Sequence, residues 1–228
     1  MEAAAPRPSY RRLAFWTFFV ALIAATNYYQ RFGGSSTRGG TSTVSVYSYS
    51  TFAGGTIIYA VWLGIVLLIA IDRFDLLALR RPRSWRRAAS LAGGVIVAIW
   101  IVEAVVSTLP LPQSPGREQG ITTVHWEPAH AGAFAANVVL FAVIAPFVEE
   151  LSFRGVGQSL LRFLGNAPSI LIVGVAFGVA HGLVEALLIL VPFGCALAWL
   201  RARTDSVVPG MVVHALFNGA ALALAVLT

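Results

Sequence analysis

From Thr51 to Ile71 the chain runs for 21 residues without a charged side chain. Wound as a helix at about 1.5 Å per residue, that run is roughly 32 Å long, close to the thickness of a bilayer's hydrocarbon core. In lipid every backbone N–H and C=O must be satisfied within the segment, which leaves helices or closed barrels as solutions. Leu91 to Leu109 repeats the pattern with one interruption, Glu103. Further apolar runs extend from Leu13 to Tyr29, from Gly132 into the pair Glu149-Glu150, from Ser169 to Gly182, from Glu185 to Leu200, and from Pro209 to the C-terminus. The expectation is an all-α, polytopic transmembrane helix bundle of about seven spans. Leu13 to Tyr29 is read as a retained first span, because no good small-residue cleavage site follows Ala25.

Composition excludes the main alternatives. Only 11% of residues are charged and 57% are hydrophobic, whereas a soluble domain carries about 25% charged residues. The mean hydropathy is +0.77. An isoelectric point near 10.2 would suit a nucleic-acid binder, but all 16 basic residues are arginines and they cluster between apolar runs. The single Cys195 excludes an intramolecular disulfide and reads as a small buried hydrophobe.

Arginine placement sets the orientation. With the N-terminus cytoplasmic, the inner segments hold Arg7, Arg11, Arg12, Arg73, Arg80, Arg81, Arg83, Arg86, Arg87, Arg154, Arg162, Arg201 and Arg203, against Arg31, Arg38 and Arg117 outside. Thirteen against three is a positive-inside bias. The chain divides into residues 1–131, three helices joined by polar loops, and residues 132–228, whose helices carry the polar residues. Gln30 to Ser50 reads as a flexible Gly/Ser/Thr-rich loop.

The second half is where chemistry is legible. A charge at mid-bilayer costs about 3 kcal/mol, so the Glu149-Glu150 pair inside an apolar run demands a reason. Neighbouring helix positions point about 100° apart, so the two acids have different tasks. Glu150 and Arg154 are spaced to pair on one face, which leaves Glu149 to face a cavity. Arg154, Gln158 and Arg162 recur every four residues, as in an amphipathic continuation of the helix. Gly165 then caps it and Pro168 opens the next helix at its first position. Gly174, Gly178 and Gly182 allow a second helix to approach closely, and Pro192 marks a kink. Glu185 suits the start of the following helix.

Counting residues brings the polar groups together. Glu149 lies 16 residues before the Gly165 turn and His181 lies 16 after it, so an antiparallel hairpin sets them at one depth. His214 and Asn218 share a face of the last helix, roughly 9 and 15 Å from its start at Val208. A carboxylate can take a proton from water and return it to a leaving amine, and a histidine beside it can hold the water. A second histidine and an amide can donate to an oxyanion. That inventory fits peptide hydrolysis in a partly hydrated cavity. Glu149, His181 and His214 equally form a zinc-type ligand set, so a divalent metal such as zinc stays open.

Glu149-Glu150-x-x-x-Arg154, Phe177-x-x-x-His181 and His214-x-x-x-Asn218 resemble, in order and internal spacing, the motifs of the CAAX-protease and bacteriocin-processing (CPBP) family of intramembrane proteases, which includes the type II CAAX prenyl endopeptidases. The resemblance covers roughly residues 137–224. It implies that Glu149 activates water with help from His181, that His214 and Asn218 bind the oxyanion or position the water, and that Glu150 and Arg154 brace the site with Phe177 packed beside it. It implies a glutamate- or metal-dependent intramembrane endopeptidase acting on a membrane-associated protein or peptide, and no nucleic acid. The prenyl group of CAAX substrates is not carried over. The expected setting is the plasma membrane of a prokaryote, with the site facing the cytoplasmic leaflet. A silent membrane scaffold of the same fold, or a proton-coupled carrier, would use the same polar residues differently.

Overall fold

A computed structural model describes residues 9–33, 45–110 and 125–227. Arg7, Arg38 and Arg117, and most of the two polar loops, lie outside the described residues. Within them the chain is helical and contains no strand. Seven principal helices follow in order: α1 (Tyr10–Phe32), α2 (Tyr49–Ile69), α3 (Trp85–Ser107), α4 (Pro128–Leu160), α5 (Asn166–Ala180), α6 (Leu187–Thr204) and α7 (Val208–Leu227).

Five of these, α2, α3, α4, α6 and α7, are long and apolar enough to cross a membrane. The expectation of seven spans is therefore met by seven helices of which five satisfy both criteria. α1 has the length, 23 residues, but Asn27 and Gln30 dilute its last turns. Asn27 instead reaches inward, where Nδ2 donates to the Ala180 carbonyl at 2.7 Å. α5 has only 15 residues, about 22 Å of helix.

α4 organises the bundle. Its 33 residues include Pro146, which has no N–H to give the Ala142 carbonyl. The backbone widens into π-helical turns on both sides, at Leu140–Ile144 and Leu151–Gly157. A side chain from α1 and the backbone of the short turn Phe74–Leu77 lock the second widened stretch. The Trp16 indole donates to the Ser152 carbonyl at 3.0 Å, and a Cβ on Gly155 would stand 2.7 Å from the Leu77 carbonyl oxygen. One apolar core runs through both halves of the chain, from Trp16, Val66 and Ile99 to Phe153, Phe177, Leu197 and Val213.

Two sequence expectations need correction here. Arg154 and Gln158 are not the polar face of an amphipathic helix: they are 0% and 1% exposed, and only Arg162 faces outward. The four-residue period instead matches the carbonyls of α6, with Arg154 Nη2 donating to Gly194 at 3.2 Å and Gln158 Nε2 to Ala198 at 2.9 Å. Second, Pro168 stands third in α5, after Asn166 and Ala167, while the turn itself is made by Gly165 at φ +90°.

The ends of the bundle differ in charge. Arg12 caps α2 by donating to the carbonyls of Ile69 and Ile71, both at 2.7 Å. The 78–80 and 205–207 turns dock on one another through Val207 N–H to the Ala78 carbonyl at 3.1 Å and the Ser206 hydroxyl to the Arg80 carbonyl. Arginines of the 80–87 segment therefore meet Arg162, Arg201 and Arg203 at this end. At the far end of α1, Arg31 pairs with Glu185 at 2.7 Å. Glu185 is thus a partner for Arg31 rather than part of a helix start. The pair is more than a third exposed and contributes about 0–1 kcal/mol.

α5 and α6 cross at glycines. A Cβ on Gly174 would lie 2.3 Å from Cys195 Sγ and 2.7 Å from its backbone N, and one on Gly194 would lie 2.7 Å from the Gly174 carbonyl. Gly174→Leu is expected to force the helices apart and to cost about 1–3 kcal/mol, read as a lower thermal unfolding midpoint in detergent. An unchanged midpoint would show that the crossing is not tight.

Candidate active site

The acid pair separates as the helical geometry requires. Glu150 is fully buried, and its Oε1 accepts from Arg154 Nη1 at 2.9 Å and from His214 Nδ1 at 3.0 Å. Gly210 makes room for this carboxylate, since a Cβ there would come within 2.9 Å of Oε2. The Arg154 guanidinium also stands 4.1 Å above the centroid of the Phe177 ring. A cation so buried is stable only with such partners, because removing water from one ion costs several kcal/mol.

Glu149 faces the other way. Its Oε1 accepts the Tyr59 hydroxyl from α2 at 2.8 Å. Its Oε2 lies 3.9 Å from His181 Nε2 and 3.8 Å from His214 Nε2. The two imidazoles arrive by different routes. His181 ends α5, where its Nδ1 meets the Phe177 carbonyl at 2.8 Å. His214 sits on α7 with Nδ1 on Glu150. A carbonyl and a carboxylate accept but do not donate, so both Nδ1 atoms donate to them and both rings turn Nε2 toward Glu149. Phe177 fixes the rings from beneath, with centroids 4.6 Å from His181 and 5.6 Å from His214, and Phe193 flanks His214 at 5.2 Å.

The structure therefore brings Glu149, Glu150, Arg154, Phe177, His181 and His214 into one cluster. Asn218, one turn beyond His214, donates through Nδ2 to the Phe141 carbonyl at 2.8 Å. That bond ties α7 to the widened stretch of α4. Two participants escaped the sequence reading. Phe193 looks like any apolar residue of its helix. Tyr59 is a hydroxyl in an uncharged run, and only the fold shows that it faces an acid 90 residues away.

As arranged, Glu149, His181 and His214 do not enclose a metal ion. Ligand atoms of a tetrahedral zinc with bonds of about 2.0–2.1 Å stand roughly 3.3 Å apart, closer than the 3.8 and 3.9 Å here. Among the described residues no group of three His, Cys, Asp or Glu side chains is placed to hold one.

An acid and two imidazoles turned toward each other inside a helical membrane bundle are the groups that water activation requires. Residues 131–220 match the family model described as type II CAAX prenyl endopeptidase Rce1-like. That stretch resembles the family named from the motifs, and it contains every motif residue from Glu149 to Asn218, while Tyr59 lies outside it. No curated protein and no solved structure matches the chain.

Arg154→Met is expected to strand Glu150 without its cation and to destabilise the protein by about 3–5 kcal/mol. Glu150→Gln/Arg154→Met, which removes both charges and keeps an acceptor for His214, is expected to recover at least part of that loss. Thermal unfolding of both variants in detergent checks the order, and equal losses would show that the charges are not coupled.

Proposed function

We propose that the protein is an intramembrane endopeptidase that hydrolyses a peptide bond of a membrane-associated protein or peptide by activating water at Glu149. The observation that carries this reading is the position of the Glu149 carboxylate, with two Nε2 atoms within 4 Å and each ring held by its other nitrogen.

The residues divide the work. Water bound between Glu149 and His181 gives one proton to the Glu149 carboxylate, while the bare Nε2 of His181 accepts its other O–H and aims it. The oxygen attacks the peptide carbonyl and the C=O pair moves onto oxygen. Collapse of the tetrahedral intermediate breaks the C–N bond, and Glu149 returns its proton to the leaving nitrogen. His214 differs from His181 because a carboxylate, not a carbonyl, stands behind its Nδ1. Glu150 supports that ring when Nε2 also carries a proton, so His214 can donate to the oxyanion. Asn218 shares that task or positions the water, Arg154 keeps Glu150 ionised and in place, and the Tyr59 hydroxyl orients Glu149.

In this reading residues 132–228 carry the chemistry and α2 completes it. The arginine-rich end lies in the cytoplasm, with His214 roughly 9 Å beyond the start of α7, which opens the site toward the inner leaflet of a prokaryotic plasma membrane. The prenyl group in the family's description is not part of the proposed substrate.

Glu149→Ala and His181→Ala are each expected to abolish cleavage, measured by comparing membrane peptides released by cells with and without active protein, while the protein accumulates normally. Full activity in both variants would end the proposal. Loss of abundance with no cleavage product from the wild type would favour a structural role for the cluster. Tyr59→Phe removes one hydrogen bond to the base and is expected to lower kcat about tenfold, equivalent to roughly 1.4 kcal/mol, with little change in the unfolding midpoint. An unchanged kcat would remove Tyr59 from the machinery.

A further inference from the structure

The arginine-rich end of the bundle contains a cleft of about 360 Å³, within the range of small-molecule sites. Arg83, Arg87, Arg162, Arg201 and Arg203 line it, with Asp205 as the one acid among its lining residues. That acid is already engaged, because Arg80 donates through Nε to its carbonyl at 2.8 Å and through Nη2 to Oδ1 at 3.2 Å. Arg201 is the informative residue. It is 3% exposed, its Nη2 donates to the Ser159 hydroxyl at 2.8 Å, and its Nε has no protein partner. A buried guanidinium with an unspent N–H, in a cleft lined by four other arginines, is short of an anion. The N-cap of α3, Ser84, and the first residue of α5, Asn166, also border the cleft, and helix N-termini favour negative groups.

The surroundings indicate where the anion comes from. Trp85 at the start of α3 is exposed, and Arg203 lies over the Trp199 ring at 5.3 Å. Tryptophans concentrate at the level of lipid headgroups. The planar fork of arginine matches phosphate oxygens in pairs. We propose that this cleft binds a phosphate-bearing anion, supplied at this depth by the headgroup of an anionic phospholipid. The proposal is independent of the proteolytic reading.

The test uses the full chain purified in detergent. Native mass spectrometry compares retention of phosphatidylglycerol and phosphatidylcholine with identical acyl chains, and a thermal shift reads the response to inorganic phosphate. Arg87→Gln/Arg203→Gln changes two exposed cleft arginines without touching buried Arg201. Arg81→Gln/Arg86→Gln removes the same charge from outside the cleft. The wild type is expected to prefer phosphatidylglycerol by about tenfold, with that preference lost in the cleft variant and kept in the control, a difference of roughly 1.4 kcal/mol. If inorganic phosphate stabilises the wild type but not the cleft variant, without a lipid preference, the site stands and its anion is free phosphate. Equal lipid retention by the cleft and control variants, with no cleft-dependent phosphate response, overturns the proposal and leaves only diffuse surface attraction.

Discussion

The Glu150–Arg154 pair is the constraint from which the rest of the structure follows. Both side chains are fully enclosed, where an unpartnered charge is strongly unfavourable. Their environment therefore has to be assembled from several helices at once. Glycines at 174 and 194 let α5 and α6 close to backbone contact. That packing sets the Gly194 carbonyl where Arg154 can reach it. Arg154 then anchors Glu150, Glu150 anchors His214, and His214 sets one wall around Glu149. A small-residue crossing thus acts on the acid through a chain of hydrogen bonds, each link fixed by the one before.

Much of this was legible in the sequence because the membrane reduces the available structures. The uncharged run at 51–71 became α2 within two residues at either end. Equal spacing of Glu149 and His181 about Gly165 did set them at one depth, 3.9 Å apart at their nearest polar atoms. The i,i+4 pairing of Glu150 and Arg154 was equally plain. What local pattern does not reveal is the identity of the opposite surface. A four-residue polar period looks the same whether it meets water or a row of carbonyls, so Arg154 and Gln158 read as amphipathic although both are enclosed. Tyr59 has no periodic partner, and its role appears only when α2 lies against α4. Asn218 meets the Phe141 carbonyl in a widened turn whose presence no hydrophobic period announces.

The two ends and the interior perform separate electrostatic tasks. Arginines gather where α2 finishes and α3 begins, and the exposed pair Arg31–Glu185 lies at the opposite end. The acids of the interior are held by hydroxyl, guanidinium and imidazole donors. Surface charge can therefore fix how the bundle sits in its bilayer while the internal network stays insulated from the surrounding salt.

The π-helical turns of α4 have one more consequence. Each such turn accommodates a surplus residue, so the segment after it is phased differently from a straight helix of the same length. Deleting one residue between 151 and 157 would let that turn relax to an ordinary α-helix and leave the downstream face where it was, whereas the same deletion in the regular stretch Ala131–Val139 would rotate everything downstream by about 100°. Only in the second case would Gln158 lose its register with the α6 backbone although no polar residue had been replaced. A single gap in this helix is accordingly a change of length or of wiring depending on the turn in which it falls.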